Sequence, residues 1–339
     1  MSDILINGKK YSGVDTITLN KAGGGTTKYT EGERPTGSIE IKENGTHNVA
    51  DYEQAVVNVA SSGEDRLQWK CDNVKSLYYE FNGYTGTDLN ILKGLDTSKV
   101  TNFERTFYQC KNVATIPNLD TSSATNLQYM FSLCSKLTNV PINSLGTATS
   151  LYFMFNQCTS ITEMPNFDYA NITNLNQAFY YCKGLTSITF KNTQKVTGLT
   201  DTFYSCSALE TISNLDIISV TSVSATTLDS CANLKNLDMR NIKAGFNFRF
   251  CKALTLNSLI NIFKELWDLT GSSSKTQSFS TESKDLIANV YVKLVDVTDE
   301  MLAQDQYAAN KKPCVVCEST DEGAMTLTEY AISKNWAIA

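Results

Sequence analysis

The chain has a single histidine, His47, in 339 residues. That scarcity excludes most zinc sites, Ser-His-Asp triads and Cys-His nucleophile pairs, since each needs an imidazole beside the reacting or ligating group. Clusters of basic residues are lacking too. Lys and Arg number 29 against 35 Asp and Glu, the net charge is −6, and the cations are scattered. Nucleic acid is not expected as a partner, because phosphate binding needs a basic footprint. No apolar run approaches the roughly 20 residues that cross a bilayer, so membrane insertion is not expected. The opening MSDILINGKKYSG lacks the charged and apolar regions of a secretory signal, which predicts synthesis in a cytoplasm and, for action outside a cell, exit by lysis, particle assembly or a non-classical route. Ten cysteines are too few for a disulfide-stapled scaffold, and without export the thiols are expected to be reduced.

What is abundant is repetition. Cys110, Cys134, Cys158, Cys182 and Cys206 stand 24 residues apart, each with a Phe three positions earlier: Phe107, Phe131, Phe155, Phe179 and Phe203. The shared pattern is L-x-x-x-F-x-x-C-x-x-L-x-x-I, with Phe, Val or Met sometimes replacing the aliphatics. Degenerate copies pass through Leu228, Cys231 and Leu234, and through Phe250, Cys251 and Leu254. An upstream half-copy is read at Cys71, Val74 and Leu77. Leu127, Phe131 and Cys134, at i, i+4 and i+7, predict one face of a short helix. The aliphatics after the cysteine predict a short strand, as in Ile188-Thr189-Phe190 and Leu237-Asp238-Met239, which alternate inward and outward. One such unit buries too few apolar side chains to offset the entropy of ordering 24 residues, so the copies must stack on one another. The expected fold is an α/β repeat solenoid over residues 63–254 with a parallel sheet on one face. The Phe and Cys rows form its inner ladder.

The F-x-x-C-x-x-L-x-x-I-P rhythm resembles the bacterial-surface-protein class of leucine-rich repeats, over about residues 65–270. That resemblance implies right-handed solenoids of the kind found in bacterial adhesins and phage-encoded proteins.

The flanks read differently. Residues 1–62 are expected to form a small β module: Ile4, Ile6, Ile17 and Leu19 lie in alternating runs, Asn44-Gly45 signals a hairpin turn between Ile39/Ile41 and Val49, and Val56-Val57-Asn58-Val59 supplies a strand. The stretch 22–37, with Gly23-Gly24-Gly25, reads as a linker. The phrase I-x-E-N-G-T-x-x-V-x-x-Y-x-x-A-x-V-N-V resembles a β module of structural proteins from phages of Gram-positive bacteria. Residues 255–339 are expected to cap the solenoid as an α+β region: an amphipathic helix through Leu259, Phe263 and Trp267, helices over 280–294 and 298–309, a strand at 314–317, then a short helix and a strand from 326 onward. The ending AISKNWAIA resembles the tails of phage leucine-rich-repeat proteins, with Asn335 where Gly is usual.

The cysteine rows lie on the apolar face with Leu and Phe, and a line of thiols does not converge on one metal; they read as core. Cys314-Val-Val-Cys317 lacks the second pair of a zinc site and the helix start of a redox dithiol. His47 beside a turn, the Gly23-Gly24-Gly25 run without a P-loop Lys, and the sequons at Asn44 and Asn171 carry no chemistry of their own. No catalytic residue, metal or cofactor is expected. The variable positions hold Tyr108, Gln109, Tyr129, Tyr152, Gln157, Tyr180, Tyr181 and Tyr204, the rigid amphipathic composition of adaptable binding surfaces. On the sheet face Thr115, Asn139, Glu163, Ser187, Thr211 and Asn236 precede the core aliphatics as a polar stripe. The alternative for the tyrosines is packing between repeats. Together with the two resemblances, these features predict a non-enzymatic virion structural protein of tail, baseplate or capsid. Its residues 1–62 would contact other virion proteins, and the solenoid would meet a host-surface glycan or protein. A homo-oligomer is compatible with that layout. A bacterial surface adhesin of the same repeat class is the alternative, and a glycan-degrading enzyme the third reading.

Overall fold

The computed structural model describes residues 75–267 apart from 88, 90, 91 and 93–96, together with 269, 273–280, 283–285 and 325–339. The amino-terminal strands and those at 291–295 and 314–317 are described by backbone alone. The chain divides into two compact units, Met1–Phe167 and Asp168–Ala339.

The first unit opens with strands β1 (Ile4–Ile6), β2 (Lys9–Tyr11), β3 (Thr16–Asn20), β4 (Thr26–Thr30), β5 (Ser38–Glu40), β6 (Asn48–Ala50), β7 (Asn58–Ser61) and β8 (Asp65–Gln68). One sheet has the order β2-β1-β8-β7, and β3/β4 and β5/β6 are antiparallel pairs. Two expectations change here. Thr26–Thr30, inside the stretch read as a linker, pairs with Thr16–Asn20: the β-branched TTKYT run extends as a strand after the glycines. The β module also runs past residue 62, because β8 pairs with both β7 and β1. The Asn44-Gly45 turn lies outside the described residues.

From Leu77 onward the repeats stack through their backbones, and the path is not helical. Alternate amides do two different things. In the segment from Leu127 to Cys134, the N–H groups of Met130, Ser132 and Cys134 donate three residues back, closing turns on Leu127, Tyr129 and Phe131. Those of Tyr129, Phe131 and Leu133 donate instead to Tyr152, Met154 and Asn156 of the next repeat. An α-helix would use every donor internally and leave none for its neighbour. Chained turns of this kind need a left-handed residue at the third position of each turn that takes one, as type II turns do. Tyr129 (φ 56°) and Leu133 (φ 66°) fill those positions, as do Tyr79, Arg105 and Gln109 in the same unit and Gln177, Tyr181, Asp201 and Ser205 in the other. Each non-glycine residue held there costs about 1–3 kcal/mol, and the cross-repeat bonds, at about 1 kcal/mol each, offset part of it. The helix expectation fails for a specific reason: the turns bury Leu127, Met130, Phe131 and Cys134, the same i, i+3, i+4, i+7 set that a helix would bury.

All ten Phe and Cys side chains of the ladder are buried. In the first unit Phe81, Phe107, Phe131 and Phe155 stack at successive centroid separations of 5.5, 5.6 and 5.5 Å. The row begins earlier than the sequence pattern indicates. Leu77 and Phe81 start a complete turn whose amides reach Asn102, Glu104, Thr106 and Tyr108, with Tyr84 in the cysteine slot. Leu77 therefore opens a turn and does not close a half-copy; Cys71 and Val74 lie outside the described residues.

In the second unit the expected short strands are β9 (Ser187–Thr189), β10 (Thr211–Asp216) and β11 (Asn236–Arg240), parallel in the order β11-β10-β9. Ile188, Ile212 and Leu237 point inward from them. After β12 (Asn247–Phe248), helix α1 (Leu256–Lys264) starts at Thr255, whose hydroxyl accepts from the Ser258 amide. It buries Leu259, Ile262 and Phe263. Strand β13 (Lys275–Phe279) follows. The helix expected over 280–294 is corrected at its end: 283–285 are helical, but Tyr291–Val295 is strand β14, antiparallel to β15 (Cys314–Cys317), and 281, 282 and 286–290 lie outside the described residues. Tyr291 and the β-branched Val292 and Val295 of YVKLV favour the extended form. The stretch 298–309 lies outside the described residues. Strand β16 (Met325–Thr326) leads into α2 (Leu327–Ser333), which carries a Thr326–Glu329 capping box. Strand β17 (Trp336–Ile338) then pairs in parallel with β13.

Candidate functional site

The stacking brings residues one repeat apart in sequence side by side, and the outward tyrosines are assembled by it into two clusters. In the first unit the left-handed positions Tyr79, Arg105, Tyr129 and Phe153 belong to successive repeats. The Arg105 guanidinium lies 5.3 Å from the Tyr79 ring centre and 4.3 Å from that of Tyr129, and it also pairs with Glu104. Tyr129 stacks on Phe153 at 5.1 Å. Tyr108 and Tyr152 stand edge-on to Tyr129 at 6.2 and 5.4 Å. Burial, then the neighbouring Tyr152, raises the Tyr129 pKa. Arg105 carries no repeat signature, so sequence reasoning passes over it; its signal is position, 24 residues before Tyr129.

In the second unit Tyr180 and Tyr204 stack at 4.9 Å with planes 13° apart, and Tyr181 leans against both at 4.8 and 5.4 Å. All three are half-buried. The Lys183 ammonium sits 5.3 Å from the Tyr181 ring centre.

The polar stripe divides. Ser187, Thr211 and Asn236 are paired neighbours across β9, β10 and β11, and Asn236 Nδ2 donates to Thr211 Oγ1 at 3.4 Å. Thr115 and Glu163 are exposed and lie outside those strands. Asn139 is committed to the scaffold. Its amide oxygen accepts from Ile116 N at 3.2 Å and its amide nitrogen donates to Ile116 O at 2.9 Å, so it clamps the backbone of the preceding repeat.

Two further polar arrangements escape the sequence reading. In each unit an Asn of one repeat meets an Asp of the neighbouring repeat at a corner. Asn143 donates to Asp120 (3.1 Å), Asn192 to both oxygens of Asp168 (3.0 and 3.1 Å) and Asn241 to Asp216 (2.7 Å). The bond from Asn192, then that from the Ala170 amide, lowers the Asp168 pKa. Each such pair sets an amide, not a second carboxylate, against the Asp of the neighbouring repeat. At the carboxy terminus Lys334 Nζ, Trp336 Nε1 and Asn335 Nδ2 donate to the carbonyls of Leu266 (2.9 Å), Trp267 (2.7 Å) and Leu269 (3.2 Å). The tail motif thus binds the chain that follows α1, and Asn335 takes the left-handed φ of 62° for which glycine is usual.

Among the described residues no three His, Cys, Asp or Glu side chains converge as a metal site, and no helix is long and apolar enough to cross a membrane. The family model described as "Mycoplasma protein of unknown function, DUF285" matches residues 34–144, 75–188 and 149–263, overlapping stretches that together take in more than half of the chain. The chain belongs to this family. No curated protein matches it. Among solved structures, a T. pallidum leucine-rich repeat protein, TpLRR, is similar over 48% of this chain and 75% of its own, with 18% identity and a TM-score of 0.38. For this DUF285 member, the stacked repeats and the tyrosines they assemble are the geometry that a function has to use.

Proposed function

We propose that the protein is a non-enzymatic binding scaffold, a leucine-rich-repeat solenoid whose tyrosine-bearing face makes adhesive or protein–protein contacts. It is carried on a phage particle, at the tail, baseplate or capsid surface, with residues 1–62 attaching to other virion proteins. The observation that carries the reading is the sorting of side chains by the repeat. Phe and Cys are spent on the interior, while tyrosines of successive repeats gather, half-buried, on the outside. Rigid rings with a polar tip lose little entropy on contact. The resemblance of residues 1–62 to a phage structural module supports placement on a virion.

The second reading, a bacterial surface adhesin, is favoured by the family's description, which refers to Mycoplasma proteins. Immunogold labelling of particles with antibody to this chain separates the two, run beside adhesion of the purified protein to host cells. Label on particles supports the first reading; label confined to uninfected cells supports the second. Turnover of host wall polysaccharide by the purified protein, lost on substitution of one carboxylate, would overturn both in favour of an enzyme.

A further inference from the structure

The tyrosine cluster of the second unit is more specific in its chemistry than a general contact surface. Tyr180 and Tyr204 cover part of each other by stacking. Tyr181 is tilted 44° to both, and the ammonium of Lys183 lies over its ring. In the other unit the equivalent arrangement encloses the Arg105 guanidinium between two tyrosines. Both clusters therefore already hold a cation of the chain itself. Ring faces attract cations through the quadrupole of the π-system.

The second cluster also carries an acidic margin. Asp201 and Asp229 are half-buried beside it. Burial first, then Tyr181, Tyr204 and the charge of Asp201, raises the Tyr180 pKa. Tyr181 first, then burial and the charge of Asp229, raises that of Tyr204. Two carboxylates against the one ammonium of Lys183 leave the locality net negative, and Lys183 is exposed and able to swing away. The net charge of −6 over the chain adds long-range attraction for a basic partner.

We propose that the Tyr180–Tyr181–Tyr204 cluster, edged by Asp201 and Asp229, receives lysine or arginine side chains from a basic polypeptide segment of a partner protein. The incoming cation takes the place of Lys183 over Tyr181. This rests on the reading that the tyrosine face is the contact surface, and it names the class of partner. A neutral glycan fits less well, since sugar stacking needs a broad open ring face and Tyr180 and Tyr204 partly occlude each other.

The test uses the full chain and a fluorescein-labelled decalysine peptide, with its fully acetylated form as the neutral control, followed by fluorescence anisotropy at low and physiological salt. The wild type is expected to bind decalysine at least about tenfold more tightly than the acetylated peptide. The double variant Tyr181→Leu, Tyr204→Leu, checked for an unchanged unfolding midpoint, is expected to lose about tenfold in affinity. Asp201→Asn, which keeps an acceptor for the Thr226 hydroxyl, is expected to lose affinity. Lys183→Gln is expected to gain it. Glu210→Gln removes a negative charge outside the cluster and serves as the reference for bulk charge. A loss in Glu210→Gln equal to that in Asp201→Asn, or a tyrosine variant that binds like the wild type, would overturn the proposal. If the wild type ignores decalysine while the tyrosine variant loses adhesion to cells, the cationic class is wrong and the contact surface stands. Tyrosine-dependent peptide binding without adhesion to cells or particles would instead sink the adhesion reading and leave the cation site.

Discussion

The thiol of Cys134 donates to the carbonyl oxygen of Phe107, 3.0 Å away and 27 residues earlier in the chain. The same bond recurs from Cys110 to Phe81, Cys158 to Phe131, Cys206 to Phe179 and Cys231 to Phe203, at 3.0–3.1 Å. The turn path aims these carbonyls at the core, where a small apolar side chain with one weak donor is required. Cysteine meets that description. Thr106 and Thr202 serve Leu77 and Leu175 in the same way with their hydroxyls. The ladder is a hydrogen-bonding device between neighbouring repeats.

Cys134→Val keeps the volume and removes the donor, and is expected to cost about 1 kcal/mol. Cys134→Ala also opens a cavity, and is expected to cost about 2–3 kcal/mol. Urea unfolding of the two variants beside the wild type reads the difference; equal stability in all three would show that the thiol bond contributes nothing.

Burial pushes the ladder thiols upward, Cys231 to about 12 and Cys134, Cys206 and Cys251 well above their ordinary value of 9.0. The folded pKa lies above the unfolded one, so the stabilisation is complete below about pH 9 and is lost as pH rises toward 12. Ellman's reagent at pH 8.5 is expected to leave these thiols unmodified in the native protein and to titrate them in denaturant. Rapid native reaction would contradict the burial.

Glu80 is buried without a partner for Oε1, and desolvation raises its pKa to about 8. The equivalent positions of later repeats hold Thr106, Met130 and Met154. Again the folded value exceeds the unfolded one, so the contribution is intact below about pH 4.5 and disappears as pH rises through 8. Glu80→Met is expected to raise the unfolding midpoint at pH 8.5 more than at pH 5; a uniform shift would show that folding does not raise the carboxyl pKa.

Asn192→Asp places a second carboxylate against Asp168, which now accepts two bonds from the Asn192 amide. The site is exposed, so the expected loss at pH 7 is about 0.5–1 kcal/mol, shrinking as pH falls and the pair takes up a proton. Thermal melts at pH 7 and pH 4 measure it.

Gly146 sits at φ 57°, and a Cβ there would lie 2.3 Å from the Ala124 carbonyl oxygen. Gly146→Ala is expected to cost at least about 1–3 kcal/mol, from strain and the forced retreat of the neighbouring turn. Circular dichroism melts detect it.

The sequence by itself determined the period and the inward face. A 24-residue spacing of Phe and Cys, with Leu, Phe and Cys at i, i+4 and i+7, states which atoms leave water whatever the backbone does. Strands at Ser187–Thr189 and Asn236–Arg240 were legible for the same reason, because their alternation is local. Tertiary structure decided the backbone path and the pairing. Leu127 to Cys134 follows chained turns because half of its amides find acceptors 23 residues onward in the next repeat, partners that no local periodicity can report. Asn139 looked like a surface group until Ile116, 23 residues earlier, was brought against its amide. The tyrosines were visible as composition, but Arg105 between Tyr79 and Tyr129, and Lys183 over Tyr181, exist only where stacking sets neighbouring repeats within ring-contact distance. Burial is written residue by residue, and contacts between repeats are formed only when the repeats stack.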